Sequence, residues 1–308
     1  MLDLWVGCAR FVEYGGAMIL FGSSLFFVYG HPFAPNIAAG KLQWTKHLLL
    51  AGAIGLLLAT VTGFVAQTAI LAGSLGAVGE YATLKAALFG MNFGLSSSIR
   101  LATALLAILA SGFLGAGPRL WRLSMILGAV ACASFAWMGH GAATQGGGWL
   151  IHLAGDISHS LAAAGWIGTL VVFCIMLTRP INSGEDKKTL CLSLAGFSGL
   201  GSLLVALILV SGLINSYFLV GWNPAQIVAM RYGQVLGVKL VLFVVMLGLA
   251  AANRFRHTPA FAIALQSNSS TNFELQRLRR SVFLETLAAA CVLGFVSWLG
   301  MLPPIEGP

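Results

Sequence analysis

Eight apolar runs, each long enough to cross a lipid bilayer, govern what this chain can fold into. They cover roughly residues 5–28, 46–72, 94–115, 121–139, 151–177, 190–215, 233–252 and 281–301, and a spanning helix needs about 20 mostly apolar residues. In hydrocarbon the backbone has no water to bond to, so such runs close their hydrogen bonds internally as helices. The overall balance agrees. Of 308 residues 58% are hydrophobic and 8% charged, against about 25% charged in soluble domains. The expected fold is an all-α polytopic membrane protein of about eight helices, forming one integral membrane domain over 1–308, because no segment between the runs is polar and long enough to fold in water.

The charges set the orientation. The net charge of +8 does not form a nucleic-acid-binding face, because the basic residues sit in short loops beside the apolar runs. Twelve of the seventeen Lys and Arg residues lie in the loops after the first, third, fifth and seventh runs. Only Lys85 and Arg231 lie on the opposite side. The positive-inside rule then makes the basic loops cytoplasmic and both termini periplasmic. Residues 78–92 read as an amphipathic stretch at the interface, and residues 254–280 as the longest polar loop. Met91-Asn92-Phe93-Gly94 precedes Arg100 by the spacing at which Met230-Arg231-Tyr232-Gly233 precedes Lys239, which suggests two parallel four-helix halves, 1–140 and 150–303. The five cysteines fall in or beside apolar runs with no CxxC pair and read as buried apolar residues rather than a disulfide framework. The N-terminus lacks a basic leader and cleavage site and is expected to be retained.

The segment from Met138 to Gly168, MGHGAATQGGGWLIHLAGDISHSLAAAGWIG, carries the densest chemistry. His140 ends the fourth run, and a charge-free glycine-rich turn follows. His152, Asp156 and His159 then fall at i, i+4 and i+7 of the fifth helix, so their side chains share one face. Ionisable groups inside a span are costly unless they face the bundle interior and find partners. Imidazole suits copper, and a carboxylate either ligates or orients a neighbouring histidine. The strip is therefore either a metal site or a buried polar network joining the fourth and fifth helices. Met138 is a soft thioether ligand for Cu(I) or a packing residue. His31, His47 and His257 lie in or beside loops and are weaker candidates.

Other intramembrane charges have structural and functional readings. Arg10 and Glu13 are i, i+3 neighbours that can pair. Glu285 lies near Arg279 and Arg280, where pairing is expected. Arg100 and Lys239 occupy matching places in the two halves. Glu13 and Glu285 are buried structural partners or relay carboxylates. TQGGGW lacks the Lys-Ser/Thr of a phosphate-binding loop, and no catalytic constellation such as HExxH or GxSxG is present, so no enzymatic activity is expected.

The ordered blocks resemble the CopD family of copper-resistance membrane proteins. They are Arg10 with Gly22 and Phe26, Phe93-Gly94 to Arg100, Gly139-His140-Gly141, and Asp156-x-x-His159 with the following AAAGWIGTL. Next come Ser211-Gly212-Leu213-Ile214-Asn215, Tyr232-Gly233 through Lys239 to Asn253-Arg254, and Glu285. Thr169 stands where the family often has a second glycine. The resemblance covers essentially the whole chain. It implies a bacterial inner-membrane protein of copper homeostasis, served by a separate CopC-like periplasmic copper-binding protein and moving copper inward. His140 and His159 are then the leading ligands, followed by Asp156 and His152, with Met138 last. Two rivals remain: a b-type haem electron carrier, which wants a histidine pair on different helices, and a copper-binding partner or sensor that does not transport.

Overall fold

The computed structural model describes residues 2–30, 42–138, 148–181, 183–220, 230–267 and 270–301; His140, His31 and the glycine-rich turn lie outside them. The described residues are helical throughout, and eight helical segments are long and apolar enough to cross a membrane. The helices are α1 (Leu2–Met18), α2 (Gln43–Ala72), α3 (Tyr81–Gly90), α4 (Asn92–Phe113), α5 (Pro118–Ser134), α6 (Trp149–Thr178), α7 (Gly184–Val220), α8 (Arg231–Ala252), α9 (Thr258–Gln266) and α10 (Asn272–Leu299). α3, the segment read as amphipathic, is short and mostly exposed. Large apolar side chains such as Leu58, Leu105, Val241 and Phe283 face outward, as a lipid solvent requires.

Local chemistry sets several boundaries. α2 ends at Gly73, whose φ of +79° forms a left-handed cap that few other residues tolerate. Pro118 opens α5, where its missing N–H has no partner to lose. The expected polar loop over 254–280 is instead largely helical. α8 runs through a π-turn at Asn253–His257 into α9, and α10 begins at Asn272. Polar composition signalled the end of the apolar run there, but a helix continues past the hydrocarbon where its side chains can be solvated.

α1 and α6 cross at the centre. A π-turn at Ile19–Ser23 continues α1 and widens it at Gly22. A methyl group on Gly22 would run into the Ala164 carbonyl, and one on Gly168 into the Met18 carbonyl. Ser23 Oγ adds a 3.1 Å hydrogen bond to the Gly168 carbonyl. Small residues that let backbones approach are the usual means of joining helices in lipid, where the hydrophobic effect gives no drive. The contact is reciprocal: each glycine meets the residue four positions before the other.

On either side of this crossing the helices pack differently. In the first half α1, α2, α4 and α5 pack in succession, and Trp121 Nε1 on α5 donates to Thr45 Oγ1 on α2 at 3.1 Å. In the second half α6 packs on α7 and α8 on α10, but α7 and α8 have no comparable contact among the described residues. Cavities occupy the resulting space. Arg10 on α1 donates to the Gly300 carbonyl just past α10, so the two ends of the described chain meet on one side of the bundle.

Candidate metal-binding cavity

A cavity of about 250 Å³ is lined mainly by α6, α7, α8 and α10, and on its other side by Tyr14 and Met18 of the first span and by Cys132, Phe135 and Ala136 of the fourth. His152, Asp156 and His159 all line it, as their helical spacing predicts. Each is held from α7. The His152 ring stacks on Phe218, with centroids 4.8 Å apart and planes 8° from parallel. Asn215 Nδ2 lies 3.4 Å from Asp156 Oδ1. His159 Nδ1 lies 3.1 Å from Ser211 Oγ.

The Ser211 hydroxyl also lies within reach of the Leu207 carbonyl one turn back. A hydroxyl has one proton; given to that carbonyl, it leaves the oxygen to accept from His159 Nδ1 and the Nε2 lone pair free. A histidine oriented in this way through one nitrogen presents the other as a metal ligand. Asp156, one helical turn away in the same cavity, supplies a carboxylate.

Lys239 also lines this cavity, and its ammonium acts electrostatically on both Asp156 and His159. The three α6 residues are strung along the helix rather than gathered at one point. Among the described residues no three His, Cys, Asp or Glu side chains converge closely enough to hold a metal by themselves. Both histidines that line the cavity come from α6, so among the described residues none faces them from another helix.

The remaining candidates are placed elsewhere. Met138 does not join the α6 strip; its sulfur is 2.8 Å from Arg100 Nη2 in the first half. Glu13 does not pair with Arg10. Its partner is Arg100, with Nε 3.6 Å from Oε1 and both side chains almost fully buried. Sequence proximity suggested the i, i+3 partner, but Arg10 instead reaches the Gly300 carbonyl. Arg100 is further held by Ser96 Oγ at 3.0 Å and Ser97 Oγ at 3.1 Å, and lies 4.8 Å from the Phe135 ring centre. This dense set of partners marks a structural pair.

Glu285 likewise does not pair with Arg279 or Arg280. Its two oxygens accept from Trp166 Nε1 at 3.0 Å and Asn253 Nδ2 at 2.8 Å. Arg279 turns away and donates to the Leu177 carbonyl at 2.7 Å. The five cysteines are free thiols. The residues the sequence reading left without a role are Ser211 and Asn215, which orient the α6 strip, and Tyr14 and Tyr232 in the cavity wall. The first two stand in a block that carried the family resemblance, but only the packing of α7 on α6 shows what they do.

The architecture defines a polytopic helical membrane protein with a histidine-bearing cavity walled mainly by its second half. Comparison with known proteins makes the assignment specific. The family model for copper resistance protein D matches residues 192–299, and that for the copper resistance protein D-like N-terminal domain matches residues 1–150. Copper resistance protein D of Pseudomonas syringae pv. tomato is 35% identical over 298 residues, covering 96% of this chain and 95% of the relative. Inner membrane protein YebZ of Escherichia coli (strain K12) is 27% identical over 263 residues, covering 83% and 84%. No solved structure matches the chain significantly. The chain belongs to the copper resistance protein D family.

Proposed function

We propose that this protein is a copper permease of the bacterial inner membrane, which takes the metal into the α6 cavity and passes it towards the cytoplasm. Copper handling and the membrane location rest on the family and on eight spanning helices. The observation that carries the site is His159, held through Nδ1 by Ser211, one turn from Asp156 in a shared cavity. His152 stands a further turn towards the start of α6, and His140 is the entry ligand in this reading. The distribution of basic loops puts this end of α6 on the periplasmic side, where a CopC-like copper-binding protein would deliver the ion. No enzymatic step is involved.

The two halves are read as repeats. Glu13 precedes Gly22 by nine residues, as His159 precedes Gly168, and the two glycines meet at the crossing. The Glu13–Arg100 pair of the first half then corresponds to His159 and Lys239 in the second. One half has kept a closed ion pair, and the other an open site.

The test is the copper content and visible spectrum of detergent-purified protein beside a His140→Ala/His159→Ala double variant. Roughly stoichiometric copper in the parent, lost in the folded variant, is expected. Equal copper in both would remove these residues from the site, and a Soret band would transfer the protein to haem-based electron transfer.

A further inference from the structure

A second, larger cavity of about 540 Å³ lies beyond the first along the same four helices. The two are collinear. On α6, His159 and Ala163 line the first cavity, and Trp166, Leu170 and Phe173 line the second. These positions recur every three or four residues, so they form one continuous helix face. On α10, Leu293 and Val296 belong to the first cavity, and Val282 and Glu285 to the second. The same holds on α8 for Leu236 and Lys239 against Leu247 and Ala250, and on α7 for Gly212 and Asn215 against Ser198 and Val205.

Between the two cavities the helices carry buried apolar side chains such as Ile208 on α7 and Met246 on α8, and a polar cluster stands at the end of the second cavity nearest the first. Trp166 Nε1 spans from α6 to Glu285 on α10, and Asn253 at the end of α8 reaches the other Glu285 oxygen. Phe243 of α8 packs edge-on against the Trp166 ring, with centroids 6.0 Å apart. Glu285 is 3% exposed, and its carboxylate borders the second cavity directly. A carboxylate placed this deep, held only by neutral donors, has no fixed counter-charge among its hydrogen-bond partners. Asn253 Oδ1 is buried there with no hydrogen-bond partner.

We propose that the second half-bundle encloses a transmembrane cation pathway of two vestibules separated by an apolar constriction, with the Glu285 carboxylate, held by Trp166 and Asn253 at the near end of the second vestibule, as the cation's station beyond that constriction. This inference rests on the permease reading and extends it. The ion leaves His159 and Asp156 and displaces the Trp166 and Asn253 donors from Glu285. It is then released into the second vestibule, whose polar lining is Ser198, Ser202, Thr258 and the Cys191 thiol together with the Arg254 guanidinium, a positive charge that donates to Ser202 Oγ. Unpaired polar groups at this depth are costly, so the donors close again on Glu285 when the ion has left, and the empty pathway is sealed.

The test reconstitutes the full chain in sealed vesicles and measures initial uptake of copper, supplied as Cu(I) under ascorbate and separately as Cu(II). Equilibrium copper binding is measured on the same preparations in detergent. Glu285→Gln keeps the size of the side chain but removes its charge; uptake is expected to fall at least tenfold, and any copper held at Glu285 is lost while that held at His159 stays. Trp166→Phe keeps a ring but removes a donor that covers Glu285, and uptake at least threefold faster than the parent is expected. The second variant serves if the first does not fold. A parent that transports beside folded variants that transport at the same rate overturns the station at Glu285 while leaving the permease reading intact. A parent that takes up no copper in either form overturns both.

Discussion

Replacing Arg100 with methionine isolates the pair that closes the first half. The side chain is fully buried, and its partner Glu13 is 3% exposed. Methionine is shorter but similar in volume, so the loss falls mainly on electrostatics and hydrogen bonds. The serines around Arg100 suffer little, because Ser96 Oγ also donates to the Ser134 carbonyl and Ser134 Oγ to the Ala131 carbonyl. The cost therefore concentrates on Glu13, left as an uncompensated carboxylate deep in the bundle. Removing one member of a buried pair typically costs about 3–5 kcal/mol. At roughly 2–4 °C per kcal/mol for chains of some 150–250 residues, the melting temperature in detergent should fall by about 10 °C. Glu13→Gln added to Arg100→Met removes the stranded charge and should restore at least half of the loss. Copper bound per folded molecule should not change, since Arg100 does not line the α6 cavity. A single variant that melts with the parent, or a double variant no better than the single one, would refute the assignment of this pair as a structural latch.

Three further outcomes are expected. Gly22→Ala should prevent stable folding, because its methyl group meets the Ala164 carbonyl and neither backbone has room to yield; membrane yield and gel-filtration profile report this. Ser211→Ala should weaken copper binding about 10–100-fold, the range typical of partners that orient a ligand, while leaving helix content unchanged by circular dichroism. Lys239→Met should tighten copper binding at least tenfold, about 1.4 kcal/mol, because it removes the cation that competes for Asp156; weaker binding by a folded variant would show instead that Lys239 supports the site.

The spans were legible because a bilayer imposes one length and one composition on each of them. The polar composition of residues 254–280 suggests a loop where the chain is largely helical, because beyond the hydrocarbon polarity no longer separates helix from loop. Within the site, the shared face of His152, Asp156 and His159 follows from helical period alone. Their partners do not, since Ser211, Asn215 and Phe218 approach from a helix some fifty residues away. The charges show the same limit. Local spacing offered Arg10 to Glu13 and Arg279 to Glu285, whereas the fold supplies Arg100 to the first and Trp166 and Asn253 to the second. In lipid, a carboxylate settles with whatever donor packing brings to its depth, and sequence neighbours that reach backbone carbonyls have no need of it.

The crossing of α1 and α6 has a mechanical consequence. Two backbones with no side chain between them behave as a pivot that is also a lock: turning about the contact is allowed, while travel along either axis drives a carbonyl into a helix. α6 carries the histidines, so the ligand-bearing wall of the pathway is bolted to the first half. α7 in turn packs along α6 and α8 along α10, but α7 and α8 lack comparable packing on each other. In the proposed pathway, a change of access between the two sides of the membrane is therefore expected at the α7–α8 seam. Spin-label distances between α1 and α6 should accordingly stay constant on adding copper, while those between α7 and α8 change.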